Sequence, residues 1–273
     1  VVNKRFKTHR SPKSFNNNLG LPLTILSAPD DCRYLIAELG SNHPGEIACL
    51  AQIAQPDLAL ITNVMPAHLE GFGNIDNILK EKCSIADALK TNGKLIYNGD
   101  FELITQFFAD NFTDKKFNIL TFGTSQKCDI QVIEPHTFSK GSNFKIGNSD
   151  NIVINVPVPG MGSIYNAAAA YAVCSQIGFS VEDFAAAMVD FPGADMRMQI
   201  EQLKELMLIN DCYNANPGSM KNALDCARTM AVEYKKNITF ICGSMGELGD
   251  QSEYYHQLLG QQIAQANVNK LLI

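Results

Sequence analysis

The residue whose type and spacing most suggest chemistry is Lys82. Behind Asn74, the residues Ile75, Ile78, Leu79, Cys83, Ala86 and Leu89 recur at helical spacing, and Lys82 falls near the centre of their stripe. The charged neighbours Lys80, Glu81 and Asp87 are expected outside it. A lysine so placed either snorkels its amine out of the interface or keeps it partly desolvated. Desolvation disfavours the ammonium form and makes the neutral, nucleophilic amine available. Two more candidates stand where open parallel sheets gather ligands, beyond the carboxyl ends of strands. Glu38 closes the apolar run Tyr34–Leu39, and His68 follows the run Leu58–Thr62. A carboxylate and an imidazole that converge suit a divalent metal. Taken singly, the glutamate also reads as a solvated strand end and the histidine as a hydrogen-bonded loop residue.

Two polar segments add to these. Asn16-Asn17-Asn18, before Leu19-Gly20-Leu21-Pro22, reads as an Asx-type turn. Asp211-Cys212-Tyr213-Asn214-Ala215-Asn216-Pro217 follows a strand and opens a helix. That helix start is either an ordinary cap or a seat for a phosphate or ribose.

The elements that must carry these residues alternate as strand and helix. Strands are expected at 34–39, 58–62, 94–97 and 117–122. Helices are expected from Pro44, near the first turn, to Gln55, and from the Asn74 cap to about Lys90, with Gly93 beyond it. This rhythm predicts an α/β fold with a parallel sheet covered by helices. Between Asp129 and Val156 short antiparallel strands are expected, with turns at Gly141 and Asn148-Ser149-Asp150. Helices follow over Tyr165–Gln176 and after Ser180, where Asp183 completes a partial capping box. Phe191-Pro192-Gly193 breaks the chain, so one domain is expected over 1–194 and another over 195–273. The second is a further βα series: strand 206–210, helix from Pro217, strand 238–242, helix from Ser252, strand 270–273.

Bulk composition narrows the classes. The chain has 273 residues, 46% of them hydrophobic, enough to bury a core, and a formal net charge of -6. That balance argues against nucleic acid as a partner. The locally basic stretch Lys4–Lys13 is expected as a solvated loop. Eight cysteines without a CxxC pair read as reduced thiols, mostly in the core, in a reducing compartment. No run of 18 apolar residues and no signal peptide is visible, so no membrane insertion is expected. The opening Val1-Val2-Asn3-Lys4 reads as the middle of a longer protein.

Together the segments resemble the Mur ligase family, in order and over nearly the whole chain. Asn16-Asn17 through Gly20-Leu21-Pro22 resembles its NN-x-x-G-x-P turn. Glu38-Leu39-Gly40-Ser41-Asn42-His43-Pro44-Gly45-Glu46-Ile47 resembles E-M-G-A-N-H-P-G-E-I. Ile61-Thr62-Asn63-Val64 through Pro66-Ala67-His68-Leu69-Glu70-Gly71-Phe72-Gly73 resembles I-T-N-V-G-P-A-H-L-E-G-F-G. Asp211 to Pro217 with Ser219-Met220 resembles D-S-Y-N-A-N-P-x-S-M, and Glu247-Leu248-Gly249 with Ser252 and His256 resembles E-L-G-x-x-S-x-x-H. The N-H-P-G-E-I and Y-N-A-N-P strings favour the branch that adds D-alanyl-D-alanine over those adding alanine, glutamate or a diamino acid.

The resemblance implies a fold, a reaction and a site. The fold would be a parallel-sheet central domain, incomplete at its N-terminus, followed by a partial Rossmann-like C-terminal domain. ATP would phosphorylate the terminal carboxylate of UDP-N-acetylmuramoyl tripeptide, and the amine of D-alanyl-D-alanine would attack the acyl phosphate, with Mg2+ neutralising phosphate charge. Glu38 and His68 would be metal ligands, and Lys82 would be carbamylated and join them. Arg197 would reach toward the phosphates, Asn166 toward adenine and Asp211 toward the ribose. Asn16, Asn17, Asn98, Tyr213, Asn214 and Asn216 would complete the ATP site. A cytoplasmic enzyme of cell-wall synthesis is implied, monomeric when complete and tied to cell shape and division.

The sequence also departs from that pattern. The family's G-x-H-N reads Gly160-Met161-Gly162-Ser163, and its G-D-M reads Gly243-Ser244-Met245. No G-x-x-x-x-G-K-[ST] occurs; the family's P-loop lies just upstream of Val1, so this stretch alone is expected to ligate nothing. Two other readings stay open: a related amide ligase such as a folylpolyglutamate synthase, and a non-catalytic binding module on the same fold.

Overall fold

The computed structural model describes residues 1–112, 117–149 and 151–273. The chain divides into two compact units, one of residues 1–64, 71–131 and 168–180 and one of residues 65–70, 132–167 and 181–273.

The first unit opens with a 3-10 turn, Val2–Lys4, and strand β1 (Thr8–Arg10). The basic stretch expected as a solvated loop is thus partly ordered. Phe6 supplies the reason. Its ring meets Tyr34 at 5.1 Å and Phe179 at 6.0 Å, edge-on, with the Arg5 and Arg33 guanidinium groups over its face. Helix α1 (Gly20–Leu26) and strand β2 (Tyr34–Ile36) follow. The sequence suggested a buried strand reaching Leu39. Instead β2 is short and pairs with β1 alone, which leaves Leu35 and Ile36 41% and 47% exposed. Helix α2 (Glu46–Ala54) starts behind Gly45, whose φ of 91° suits glycine, so Pro44 precedes the helix rather than lying in its first turn.

Next come β3 (Leu58–Ile61), the one-turn α3 (Leu69–Phe72) and α4 (Ile75–Cys83). Asn74 caps α4 as expected: its side chain accepts from the Asn77 amide at 2.9 Å. The α-helix ends at Cys83, and a 3-10 turn (Ser84–Ala88) fills the rest of the stretch expected as one helix. Strand β4 (Lys94–Asn98), helix α5 (Glu102–Asn111) and strand β5 (Asn118–Gly123) complete the series. β3, β4, β5 and the first residues of β6 (Ile130–Phe138) pair in parallel, as the alternation predicted. Leu95 and Ile96 of β4 are fully buried, which fits a strand covered on both faces.

The second unit contains the rest of β6, β7 (Gly141–Ile146) and β8 (Val153–Val156), an antiparallel meander as expected. Asp150, third residue of the expected turn, lies outside the described residues. Ser139, in the β6–β7 turn, is buried and donates its amide and hydroxyl to the Glu233 carboxylate. Helices α6 (Met161–Ser175) and α7 (Val181–Met188) follow, α6 starting ahead of the expected Tyr165. Strands β9 (Gln199–Leu203) and β10 (Leu206–Asn210) then form an antiparallel hairpin. The strand at 206–210 and the helix from Pro217 are as expected, but the antiparallel partner β9 was not foreseen; it carries little apolar pattern to announce it. Helix α8 (Pro217–Tyr234), β11 (Thr239–Ile241), α9 (Ser252–Gln265) and β12 (Lys270–Leu272) restore the βα order, and β11 and β12 pair in parallel.

Among the described residues no helix is long and apolar enough to cross a membrane. The cysteines are free, and fewer are in the core than expected: Cys83, Cys128, Cys174 and Cys226 are buried, but Cys49 and Cys212 are exposed.

Candidate functional site

Five of the candidate residues sit in the first unit. Glu38 is exposed just past β2, and its Oε1 accepts from Asn16 Nδ2 at 2.9 Å. Gly40 comes so close to that amide that a Cβ there would lie 2.6 Å from Nδ2. Asn16 therefore orients the carboxylate, and among the described residues Oε2 has no partner. Asn17 acts as the Asx turn the sequence suggested, its Oδ1 accepting from the Leu19 and Gly20 amides at the start of α1. Asn98 is 1% exposed at the end of β4, and its Oδ1 accepts from the Asp100 amide at 3.0 Å.

Lys82 is half-buried on α4, and burial pushes its amine pKa down, with the charge of Glu81 opposing that shift. No hydrogen bond to the amine occurs among the described residues. The stripe analysis placed Glu81 outside the buried face, and the structure corrects this. Glu81 is 5% exposed, and its carboxylate accepts from the Gly45 and Ile47 amides at 2.7 Å each. The N-terminus of α2 leaves these donors unpaired within the helix, and its dipole favours an anion there. Glu46 completes the loop from the other side, accepting from the Asn42 and His43 amides, which hold its carboxyl below the usual range. The string Asn42-His43-Pro44-Gly45-Glu46-Ile47 is thus a helix start clamped to the helix that carries Lys82.

The remaining candidates lie in the second unit. His68 has a φ of 55° and a partly exposed ring whose Nδ1 pairs with the carboxylate of Glu247. The Glu70 amide donates to the Glu247 carbonyl at 3.0 Å. His68 and Glu247 line a cavity of about 160 Å³ with Ala67, Asn214, Ala215, Asn216, Gly246 and Leu248. Asn216 caps α8 through a reciprocal box with Ser219, and Pro217 opens the helix. Asn216→Ala should cost about 1 kcal/mol of stability, measurable as a lower urea midpoint. A midpoint matching the parent would mean that the cap contributes nothing.

Beside the cavity residues in sequence, Asp211 accepts from the Met198 amide at 2.9 Å. Burial raises its carboxyl pKa, opposed by that hydrogen bond and by Arg197. Arg197 is exposed and stacks over Tyr213, 4.1 Å from its centroid. Asn214 is exposed and accepts from the Ala215 amide, and Asn166 is exposed on α6. Where the family pattern has G-x-H-N, Gly162 donates its amide to Asn222 and Ser163 turns its hydroxyl onto Val158 and Gly160 carbonyls. His256 clamps the loop before Glu247: its Nε2 accepts from the Met245 amide at 3.0 Å while Nδ1 faces the Ser252 carbonyl. The site residues that sequence reasoning missed are Glu81 and Glu247. The first was hidden by its charge, while the second was quoted in the E-L-G string without a role.

The first unit thus joins a parallel α/β sheet to a helix-borne lysine and an oriented carboxylate, and the second sets an imidazole beside a cavity at the start of α8. The comparisons give the family. The Mur ligase middle domain matches residues 1–174 and the Mur ligase glutamate ligase domain residues 196–273, so the chain belongs to the Mur ligase family. UDP-N-acetylmuramoyl-tripeptide--D-alanyl-D-alanine ligase of Bacillus subtilis is 31% identical over 272 residues, 99% of this chain and 57% of that protein. The Escherichia coli protein of that name is 31% identical over 261 residues, 95% of this chain and 56% of its own length. A crystal structure of MurF from Acinetobacter baumannii matches with a TM-score of 0.86 at 28% identity, covering 99% of this chain and 58% of that one. The chain thus spans a little over half the length of these relatives.

Proposed function

We propose that this chain is part of an ATP-dependent ligase that joins D-alanyl-D-alanine to UDP-N-acetylmuramoyl tripeptide through an acyl phosphate. The observation that carries the reading is that, among the described residues, Glu38 Oε2 and the Lys82 amine in the first unit and His68 Nε2 in the second have no hydrogen-bond partner. Supporting it are relatives at about the same identity that share one activity name.

Taken one by one, the Glu38 carboxylate oxygen suits magnesium and the His68 imidazole is a common metal ligand. Magnesium, when bound, supplies Lewis-acid charge to the phosphoryl oxygens. Glu38, fixed by Asn16, offers an oriented carboxylate oxygen. His68 offers Nε2, its other nitrogen being taken. Lys82 offers a partly desolvated amine; as the neutral base it adds to carbon dioxide, loses one proton and becomes a carbamate with two ligand oxygens. The N-terminus of α8 offers its positive dipole end and the Gly218 amide to an anion, the Ser219 amide being held by Asn216 and Pro217 having none; Arg197 adds a cation for phosphate, Asp211 takes a ribose hydroxyl, and Asn166 meets adenine. Asn17 and Asn98 in the first unit and Asn214 and Asn216 in the second each hold a backbone turn, and with Tyr213 they are the further nucleotide contacts of this reading. The same reading sets the domain boundary at 194/195, supported by family matches that stop at 174 and resume at 196. It also makes the protein a cytoplasmic monomer.

The test is phosphate release by the complete ligase with magnesium and ATP, given either the tripeptide with D-alanyl-D-alanine or a folate with glutamate. Release that requires the dipeptide is expected. Release that responds to glutamate would move the protein to the folylpolyglutamate side, and none with either amine would make it a binding module.

A further inference from the structure

The loop Pro66–Glu70 and the loop Gly246–Gly249 meet at three points within the second unit. His68 Nδ1 pairs with the Glu247 carboxylate, the Glu70 amide donates to the Glu247 carbonyl at 3.0 Å, and a Cβ on Gly249 would lie 3.2 Å from Glu70 Cα. Both His68 and Glu247 hold left-handed backbone, with φ of 55° and 59°. For residues other than glycine that conformation is uncommon and persists when surrounding structure enforces it. The two loops are therefore built to present these side chains to each other.

We infer that Glu247 is a positioning residue for His68: its carboxylate holds the proton on Nδ1 and turns Nε2 outward as a metal ligand. An ionised carboxylate only accepts, so the ring donates from Nδ1, and in the neutral ring the Nε2 lone pair is then free. A carboxylate behind a ligating imidazole fixes its tautomer and ring orientation and raises its basicity. This inference rests on the reading of His68 as a metal ligand. It adds that ligand geometry on the middle-domain segment depends on a residue of the glutamate-ligase segment, 179 positions along the chain. His68 is presented to the metal only when loop 246–249 is seated.

The experiment uses the complete ligase and two readouts. One is the ¹⁵N spectrum of the His68 ring without metal, which reports the tautomer. The other is Mn2+ affinity by electron paramagnetic resonance, with Mn2+ as the probe for the site. In the parent protein Nδ1 should carry the proton. Glu247→Ala should shift the ring toward the Nε2–H tautomer and weaken Mn2+ binding about 10- to 100-fold. Glu247→Gln, which keeps an acceptor oxygen, should retain the tautomer and lose less affinity. Parent-like tautomer and Mn2+ affinity in Glu247→Ala would overturn the inference. His68→Ala separates the two claims: if it binds Mn2+ as the parent does, the ligand assignment of His68 fails. If it loses Mn2+ while Glu247→Ala does not, only the role of Glu247 fails. A purely structural role would lower the stability of both Glu247 variants without moving the tautomer, which also counts against it.

Discussion

Replacing Lys82 by methionine should lower turnover of the complete ligase by about 10²- to 10³-fold, the scale seen when one preorganised electrostatic contact to a transition state is lost. The same substitution should stabilise the fold at neutral pH, because methionine has similar length and brings no charge to be desolvated. The pH dependence follows from the direction of the shift. Burial lowers the amine pKa from 10.5 in the folded state. Below the folded value both states are protonated, and the folded protein bears the full cost of the buried charge. As pH rises through the folded value toward 10.5, the folded state sheds its proton first and that cost disappears. The parent should gain stability over this window, so the advantage of methionine should shrink as pH climbs. Urea midpoints from pH 7 to pH 10.5, in buffers freed of carbon dioxide, read this directly. An advantage that grows with pH, or turnover within twofold of the parent, would show that Lys82 is a solvated surface lysine.

Much of the framework around Lys82 was legible in the sequence, for physical reasons that differ by element. β4 is covered on both faces and reads as a continuous apolar run. α4 and α8 announce themselves through Asn74 and Asn216-Pro217, since caps act within one turn and leave a local signature. β1 and β9 were not legible. Each is partly exposed and, among the described residues, held by a single neighbour, so neither carries the periodicity that burial imposes. The ordering of residues 4–10 depends on Phe6 meeting Phe179, a contact no local window contains.

The candidate site divides along the same line. Asn17 and Asn216 could be read as turn and cap because their partners lie within three residues. Lys82 could be placed in an interface because its helix has an apolar stripe. Glu38 could be singled out as a candidate, but its hold by Asn16 could not, since that depends on the close approach of Gly40. Glu247 escaped for a similar reason: its partner is far along the chain, and a left-handed φ at a glutamate leaves no mark in composition.

Glu81→Ala should give the largest loss of stability of any single change at these residues, about 2–4 kcal/mol for the buried Ile47 amide and the part-buried Gly45 amide left without an acceptor. A helical wheel treats Glu81 as solvent-facing because it sees one apolar stripe on α4. The start of α2 packs against the other side and brings two unpaired N–H groups and a positive dipole end to that position. A charged residue is buried there because its environment is built of donors. Glu81→Gln keeps one acceptor oxygen and sets an amide against the second donor, so its loss should fall between parent and alanine. Two measurements check this: the urea midpoint, and hydrogen exchange at the Gly45 and Ile47 amides, which should lose protection in alanine. The substitution also acts on Lys82. The charge of Glu81 is what holds the Lys82 pKa up against burial, so the alanine variant should titrate Lys82 at still lower pH. A midpoint within about 0.5 kcal/mol of the parent, with both amides still protected, would show that the clamp contributes nothing.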